Sequence, residues 1–309
     1  MALGFGLLVV SAAMLLAGAE LFAENAAHAA RRLGITVFAV AFLLAGAEPE
    51  EMITAVIASA RHRPGLAAGD AIGANLTMLT LVLGVAALAR PLPFRGRVRG
   101  YALWSALAGG LAAVMVALGT IGRWQGGLLV AAYLAGVALL WWREREPPAV
   151  GEVAEAGQGD DGSRPAAVGL ALAVLGVALM AAGGWLAVGG AERVVRALGL
   201  TDTAVGLTLL ALATTAELFA LAWAAMRRGV SEIAVAGVAG SAAYNATATL
   251  GAAALVRPLA TGGILGPAIA AAALPLILLA VTTRGRLTRP VGAILVAGYL
   301  AWLTTTLAR

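Results

Sequence analysis

Glu48-Pro49-Glu50-Glu51 sets three carboxylates and a proline inside a long apolar stretch, and Thr214-Thr215-Ala216-Glu217 sets another carboxylate behind two hydroxyls in a second stretch. Glu50 and Glu217 are 167 positions apart. An acid in a segment meant for lipid costs roughly 2.5–3.5 kcal/mol on insertion scales, so it faces a protein interior or a water path and marks a functional site. Two such acids at matching places in two halves of a chain point to a cation site at a repeat interface. Pro49 removes a backbone donor and disfavours helical geometry at Glu48, while Gly46 loosens the preceding turn. A helix broken at that depth frees carbonyl oxygens, and these together with carboxylates are hard ligands suited to Na⁺ or Ca²⁺. The second copy has Ala216 in place of Pro49 and adds hydroxyls at Thr214 and Thr215.

Neutral oxygens follow each acid. Gly69-Asp70-Ala71-Ile72-Gly73-Ala74-Asn75 and Gly240-Ser241-Ala242-Ala243-Tyr244-Asn245 combine glycines, which let a neighbouring helix come close, with Asn75, Ser241 and Asn245. Such amides and hydroxyls either ligate an ion or serve only as packing hydrogen bonds between helices. Glu51 is read either as a ligand or as an acid at a wet helix end. Asp70 follows the short gap at 61–65 and is read either as a site residue or as a helix-start charge near the membrane surface. Glu20 and Glu24 fit the interfacial end of a long first helix, and His28 and His62, beside arginines, fit interfacial positions rather than metal ligation.

These residues need a membrane scaffold. The chain is 61% hydrophobic and 12% charged, and apolar runs long enough to cross a bilayer recur from end to end. The absence of cysteine excludes disulfides and thiolate metal sites. All 21 basic residues are arginine, set in short gaps between apolar runs, so the net charge of +5 reflects membrane topology and not a nucleic-acid partner. Met1 leads straight into an apolar stretch and reads as the start of the first membrane helix, not as a removable signal. At about twenty residues per crossing, ten helices are predicted near 2–30, 35–60, 65–89, 101–120, 125–142, 166–190, 202–226, 230–256, 263–283 and 289–307. Segment 143–165 is rich in Pro, Gly and acids and is predicted to be a cytoplasmic linker, too short to fold alone.

The two halves resemble each other. Residues 1–142 and 166–309 each hold five predicted crossings, with the strongest similarity over about 35–92 and 202–259. Gly73 matches Gly240, Gly84 matches Gly251, and Arg90-Pro91-Leu92 matches Arg257-Pro258-Leu259, all at the offset of 167. Units with an odd number of crossings insert in opposite orientations, so the expected fold is all-α, with ten transmembrane helices as two inverted five-helix repeats. Gaps after odd-numbered helices carry 14 arginines against 7 elsewhere, which predicts a multi-pass plasma-membrane protein with both termini outside.

At these residues the chain resembles the cation/calcium exchanger superfamily, which includes the sodium/calcium and proton/calcium exchangers. The resemblance lies in Pro49-Glu50, in Gly69–Asn75 against a Gly-Asn-x-x-Gly-Ser-Asn motif, in Gly240-Ser241-Ala242, and in the lead-ins Leu33-Gly34-Ile35-Thr36 and Val205-Gly206-Leu207-Thr208. It implies antiport at one shared site, with helices one and six sliding across the others. Glu50 and Glu217 would be the paired acidic ligands, Asn75 and Ser241 flanking ligands, and Thr214 a hydroxyl or carbonyl ligand, with Glu48, Thr215 and Asn245 completing the set. Gly46, Ala47, Ala74, Ala216 and Ala242 depart from the oxygen-bearing or proline pattern of the sodium/calcium branch.

Two carboxylates facing one cavity repel, so without a cation at least one should bind a proton. The expected function is therefore secondary antiport of Ca²⁺ or a related cation against H⁺ or Na⁺, with proton coupling ahead of sodium coupling and Na⁺/H⁺ exchange third. No cofactor is expected; the partners are inorganic cations as substrates and the lipid bilayer, and a monomer suffices. The rivals are a non-transporting relic or sensor with this fold, a channel, and a membrane enzyme. The last lacks a nucleophile–base pair at depth.

Overall fold

The computed structural model describes residues 1–32, 48–94, 97–144, 165–228, 231–282 and 285–308. The helices are α1 (Ala2–Arg32), α2 (Pro49–Ala60), α3 (Pro64–Ala89), α4 (Arg97–Ala117), α5 (Arg123–Glu144) and α6 (Ala166–Leu198). After them come α7 (Asp202–Thr214), α8 (Ala216–Arg228), α9 (Ser231–Tyr244), α10 (Leu250–Val256), α11 (Leu265–Val281) and α12 (Arg289–Leu307). Among the described residues, six of these (α1, α3, α4, α5, α6 and α12) are long and apolar enough to cross a membrane unaided. Of the others, α7 and α8 are separated at Thr215, and α9 and α10 by the turn at Asn245–Thr249.

The interruptions have identifiable causes. Pro49 and Pro64 stand at the first turns of α2 and α3, where a missing N–H is harmless. Gly199, at φ 68°, closes α6 in the left-handed conformation that only glycine adopts without strain. Thr201 then caps α7 by accepting the Ala204 N–H at 3.1 Å. Single π-helical turns run through Thr77–Val82 within α3, Gly206–Leu210 within α7, and Asn245–Thr249 between α9 and α10. The first and third fall at matching places in the two halves. Such turns often accompany functional sites.

Several predicted boundaries shift. The helix expected at 166–190 runs on to Leu198, and the one expected at 101–120 starts at Arg97 and ends at Ala117. The helices expected at 202–226 and 230–256 are each divided, at Thr215 and at the Asn245–Thr249 turn. Of the one expected at 35–60, only the part from Pro49 falls within the described residues; Gly34, Thr36, Gly46 and Ala47 lie outside them. The linker expected at 143–165 falls outside them too, apart from the end of α5 and Pro165.

Small residues set how the helices pack. Gly4 meets Gly190 and Gly18 meets Gly176, so α1 and α6 run antiparallel along each other. A Cβ added at Gly69 would lie 2.9 Å from the Leu207 nitrogen, and Gly206 lies against the Leu66 carbonyl, so α3 and α7 touch backbone to backbone. Gly84 faces Gly292, and Gly251 faces Gly126. Short antiparallel ladders tie the loops: Leu92–Pro93 with Arg286–Leu287, and Thr120–Ile121 with Leu259–Ala260. Large apolar side chains such as Val9, Leu107 and Ile294 point outward, while Glu48, Glu50, Glu51, Asp70 and Glu217 are buried. That inversion of the water-soluble pattern suits hydrocarbon as the solvent.

Candidate cation site

The site is built around the start of α2. Glu48 stands outside the helix at φ −91°, ψ 78°, as its position before proline requires, and Glu50 and Glu51 occupy the first turn. There the free N–H groups and helix dipole favour negative charge. All three acids are only 1% exposed. Across from them, the π turn after α9 presents Asn245. Its amide nitrogen donates to Glu51 Oε2 and, at 3.4 Å, to Glu48 Oε2, while its oxygen accepts from Thr249 Oγ1 at 2.9 Å. Asn245 thus offers the acids a donor, and its oxygen, read from sequence as a ligand, is already engaged. Ser241, one turn earlier on α9, adjoins the Glu48 carboxyl.

A second wall comes from α3 and α7. Asp70 is 1% exposed, and its Oδ1 accepts from Thr214 Oγ1 at 3.1 Å. The same carboxyl is close enough to Glu51 for the two to repel. Thr214 shares its proton with the Ala211 carbonyl at 3.1 Å, and Thr215 donates to that carbonyl at 2.8 Å. Asn75 Nδ2 donates to the Ala242 carbonyl at 2.8 Å, a bond between two positions that correspond in the two halves. Glu217 lies in the first turn of α8, directly after the non-helical Thr215, and is 4% exposed. Glu50 and Glu217 therefore occupy matching places, each at the start of a buried helix.

The balance of donors and acceptors is unequal. Among the described residues, Glu48 Oε1, Glu51 Oε1, Asp70 Oδ2, Asn75 Oδ1 and Ser241 Oγ are buried without a well-formed hydrogen bond. Buried oxygens normally have partners, so five on three elements mark a place for something positive. No arginine is among the groups acting on Glu48, Glu51 or Asp70. Arg61 and Arg63, at the far end of α2, are engaged with Glu192 at 2.9 and 3.5 Å, and Arg63 with Asp202 at 3.4 Å. No three acids among the described residues converge on one point closely enough to hold a metal by themselves. Neutral and backbone oxygens must complete any coordination shell. Carboxylate, amide and hydroxyl oxygens in this mixture fit a hard cation such as Ca²⁺ or Na⁺.

Two acids that the sequence left open, Glu51 and Asp70, belong to this cluster. Asp70 is the seventh residue of the helix that begins at Pro64, which sets it about 10 Å along the axis at 1.5 Å per residue. Counting from Pro64 would have placed it below the surface. Glu20 and Glu24 are exposed on α1, and His62 lies in the turn between α2 and α3 with φ 63°.

The fold and this buried array of acids define a polytopic membrane protein built to handle a cation. Residues 3–142 and 168–308 match the family model described as sodium/calcium exchanger protein, and the chain belongs to that family. It is accordingly a transporter and not an enzyme. A candidate antiporter named CaxA from Alkalimonas amylolytica is 27% identical over 258 residues, covering 82% of this chain and 79% of that one. Sodium/calcium exchanger MaX1 of Methanosarcina acetivorans is 29% identical over 90 residues, 28% of this chain and 26% of its own. Among solved structures, the sodium-calcium exchanger NCX_Mj superposes with a TM-score of 0.63 at 23% identity, covering 98% of each chain, which establishes a common fold.

Proposed function

We propose that this cation antiporter exchanges Ca²⁺, or a cation of similar size and charge, for protons at one site where the two halves of the molecule meet. The observation that carries this reading is the set of buried acid, amide and hydroxyl oxygens on α2, α3 and α9 left without a hydrogen-bond donor, with no basic residue against the acids among the described residues. Acids crowded in that way hold protons when no cation is present and release them when one enters. Glu50, Glu217, Glu48, Asn75, Ser241 and Thr214 supply the ligands, with Glu51 adding charge. Asn245 and Thr215 position the others.

The transport frame is ten crossings in two inverted five-helix repeats, residues 1–142 and 166–309, joined by the 143–165 linker. Support comes from the antiparallel pairing of α1 with α6, the first crossings of each repeat. The Gly84–Gly292 and Gly251–Gly126 contacts, and the two loop ladders, are likewise exchanged by that inversion. The chain works in the plasma membrane with both termini outside, needs no cofactor or nucleic acid, and functions as a monomer.

Sodium-coupled calcium exchange is the second reading, favoured by the likeness to MaX1 and NCX_Mj, both named sodium/calcium exchangers. An ion-substitution flux assay in proteoliposomes separates them. Calcium uptake driven by a proton gradient without Na⁺ supports the first reading; uptake that requires a sodium gradient supports the second. Absence of any coupled cation flux would remove both and leave a non-transporting member of the family.

A further inference from the structure

Asp70 stands where the family motif has a neutral Asn, and its repeat counterpart is Gly237, so no equivalent group exists in the other half. It is buried among α3, α7 and the start of α2, and among the described residues its carboxylate accepts from the Thr214 hydroxyl, 3.1 Å away. A hydroxyl has one proton and two lone pairs. When Asp70 and the Ala211 carbonyl share that proton, what Thr214 Oγ1 has left to offer is lone pairs, the form a cation requires. Without Asp70 the proton is left with the Ala211 carbonyl alone, which Thr215 already occupies at 2.8 Å, so it is held less firmly away from the entering ion.

We infer that Asp70 is a positioning residue of the cation site, holding the Thr214 hydroxyl proton away from the ion so that its oxygen can serve as a ligand. This rests on the antiport reading above. It also accounts for the neutral motif residue: an Asn at 70 would present its amide oxygen to the same hydroxyl.

The test is calcium transport by purified full-length protein in proteoliposomes, comparing KM with maximal rate. Asp70→Ala raises the KM for Ca²⁺ about tenfold, the scale of one hydrogen bond to a charged group. The maximal rate stays within about twofold, because a ligand made in the ground state is what is lost. Asp70→Asn restores a near-normal KM. Thr214→Val raises KM by a similar factor, and adding Asp70→Ala to it raises KM no further. The inference is overturned if Asp70→Ala leaves KM unchanged, if Asn is as damaging as Ala, or if the Asp70 and Thr214 effects multiply. Should Asp70→Ala fail to assemble, Asp70→Ser, too short to reach Thr214, replaces it in the same cycle. A wild-type protein that moves no cation would instead refute the antiport reading itself.

Discussion

The two halves of the molecule solve one geometric problem with different chemistry. Each must start a buried helix beside an acid. The first half does so with Pro49, which forces Glu48 out of the helix, and places Glu48, Glu50 and Glu51 around the break. The second half has no proline there. Its break falls at Thr215, at φ −85°, ψ 4°, with Glu217 alone in the next turn and hydroxyls at Thr214 and Thr215 in place of acids. The breaks fall at corresponding positions, Glu48 and Thr215, while the residues that carry charge around them differ. Negative charge is concentrated on the α2 side, and the α7–α8 side supplies mostly neutral oxygens.

The same contrast appears away from the acids. Tyr101, Trp104 and Tyr133 of the first half join Tyr244 of the second in a continuous aromatic seam, with ring centroids 6.3, 5.7 and 5.2 Å apart in order. At the offset of 167 the counterparts of Tyr101, Trp104 and Tyr244 are Ala268, Ala271 and Thr77, and Tyr299 stands one residue out of that register from Tyr133. A groove of about 710 Å³ opens beside them, bounded by Leu207, Leu274, Tyr299 and Trp302. There Tyr299 packs against Trp302, ring centroids 5.6 Å apart, and hydrogen-bonds with Thr77 at 3.1 Å. One seam is filled and the other is open, although both lie on related backbone.

The sharpest way to break this comparison is to remove the charge that both halves keep. Glu50→Gln and Glu217→Gln are each expected to abolish cation-driven exchange in proteoliposomes while expression stays normal; transport by both variants would mean that the acids are not the site. Next in size is the contact between halves. Gly73→Val should prevent assembly, because any Cβ there meets the Leu207 backbone, and monodisperse folded protein on size exclusion would disprove the close approach. A smaller effect is expected from the seam. Trp104→Ala should lower Tm markedly, since emptying a packed aromatic site costs about 3–5 kcal/mol, whereas Ala270→Val, on the groove wall, should change it little. The smallest is Tyr299→Phe, which removes one hydrogen bond worth about 1 kcal/mol and should lower Tm slightly with transport retained.

Much of the scaffold was legible from residue patterns. Apolar runs near twenty residues, the offset of 167 and the matched glycines led to the helix order and to the start of α2 at Pro49. The π turns were not legible, because Thr77–Val82 and Asn245–Thr249 carry no sequence signal distinct from an ordinary apolar helix. That gap matters at Asn245. Its residue type suggested an oxygen ligand, but the turn directs its amide nitrogen at Glu51 and Glu48 and leaves its oxygen to Thr249. Asp70 was ambiguous for a related reason: depth in a bilayer depends on where the helix begins, and the turn before Pro64 is short and tight. The break at Thr215 had no proline to announce it.

The account stands on acids from both halves holding a single shared ion, and equilibrium binding of Ca²⁺ to the purified protein tests that directly. If the site is shared, wild type binds, and Glu50→Gln and Glu217→Gln each eliminate binding altogether. If either variant keeps a full-affinity site at half the wild-type capacity, the two halves bind independently and the shared site does not exist.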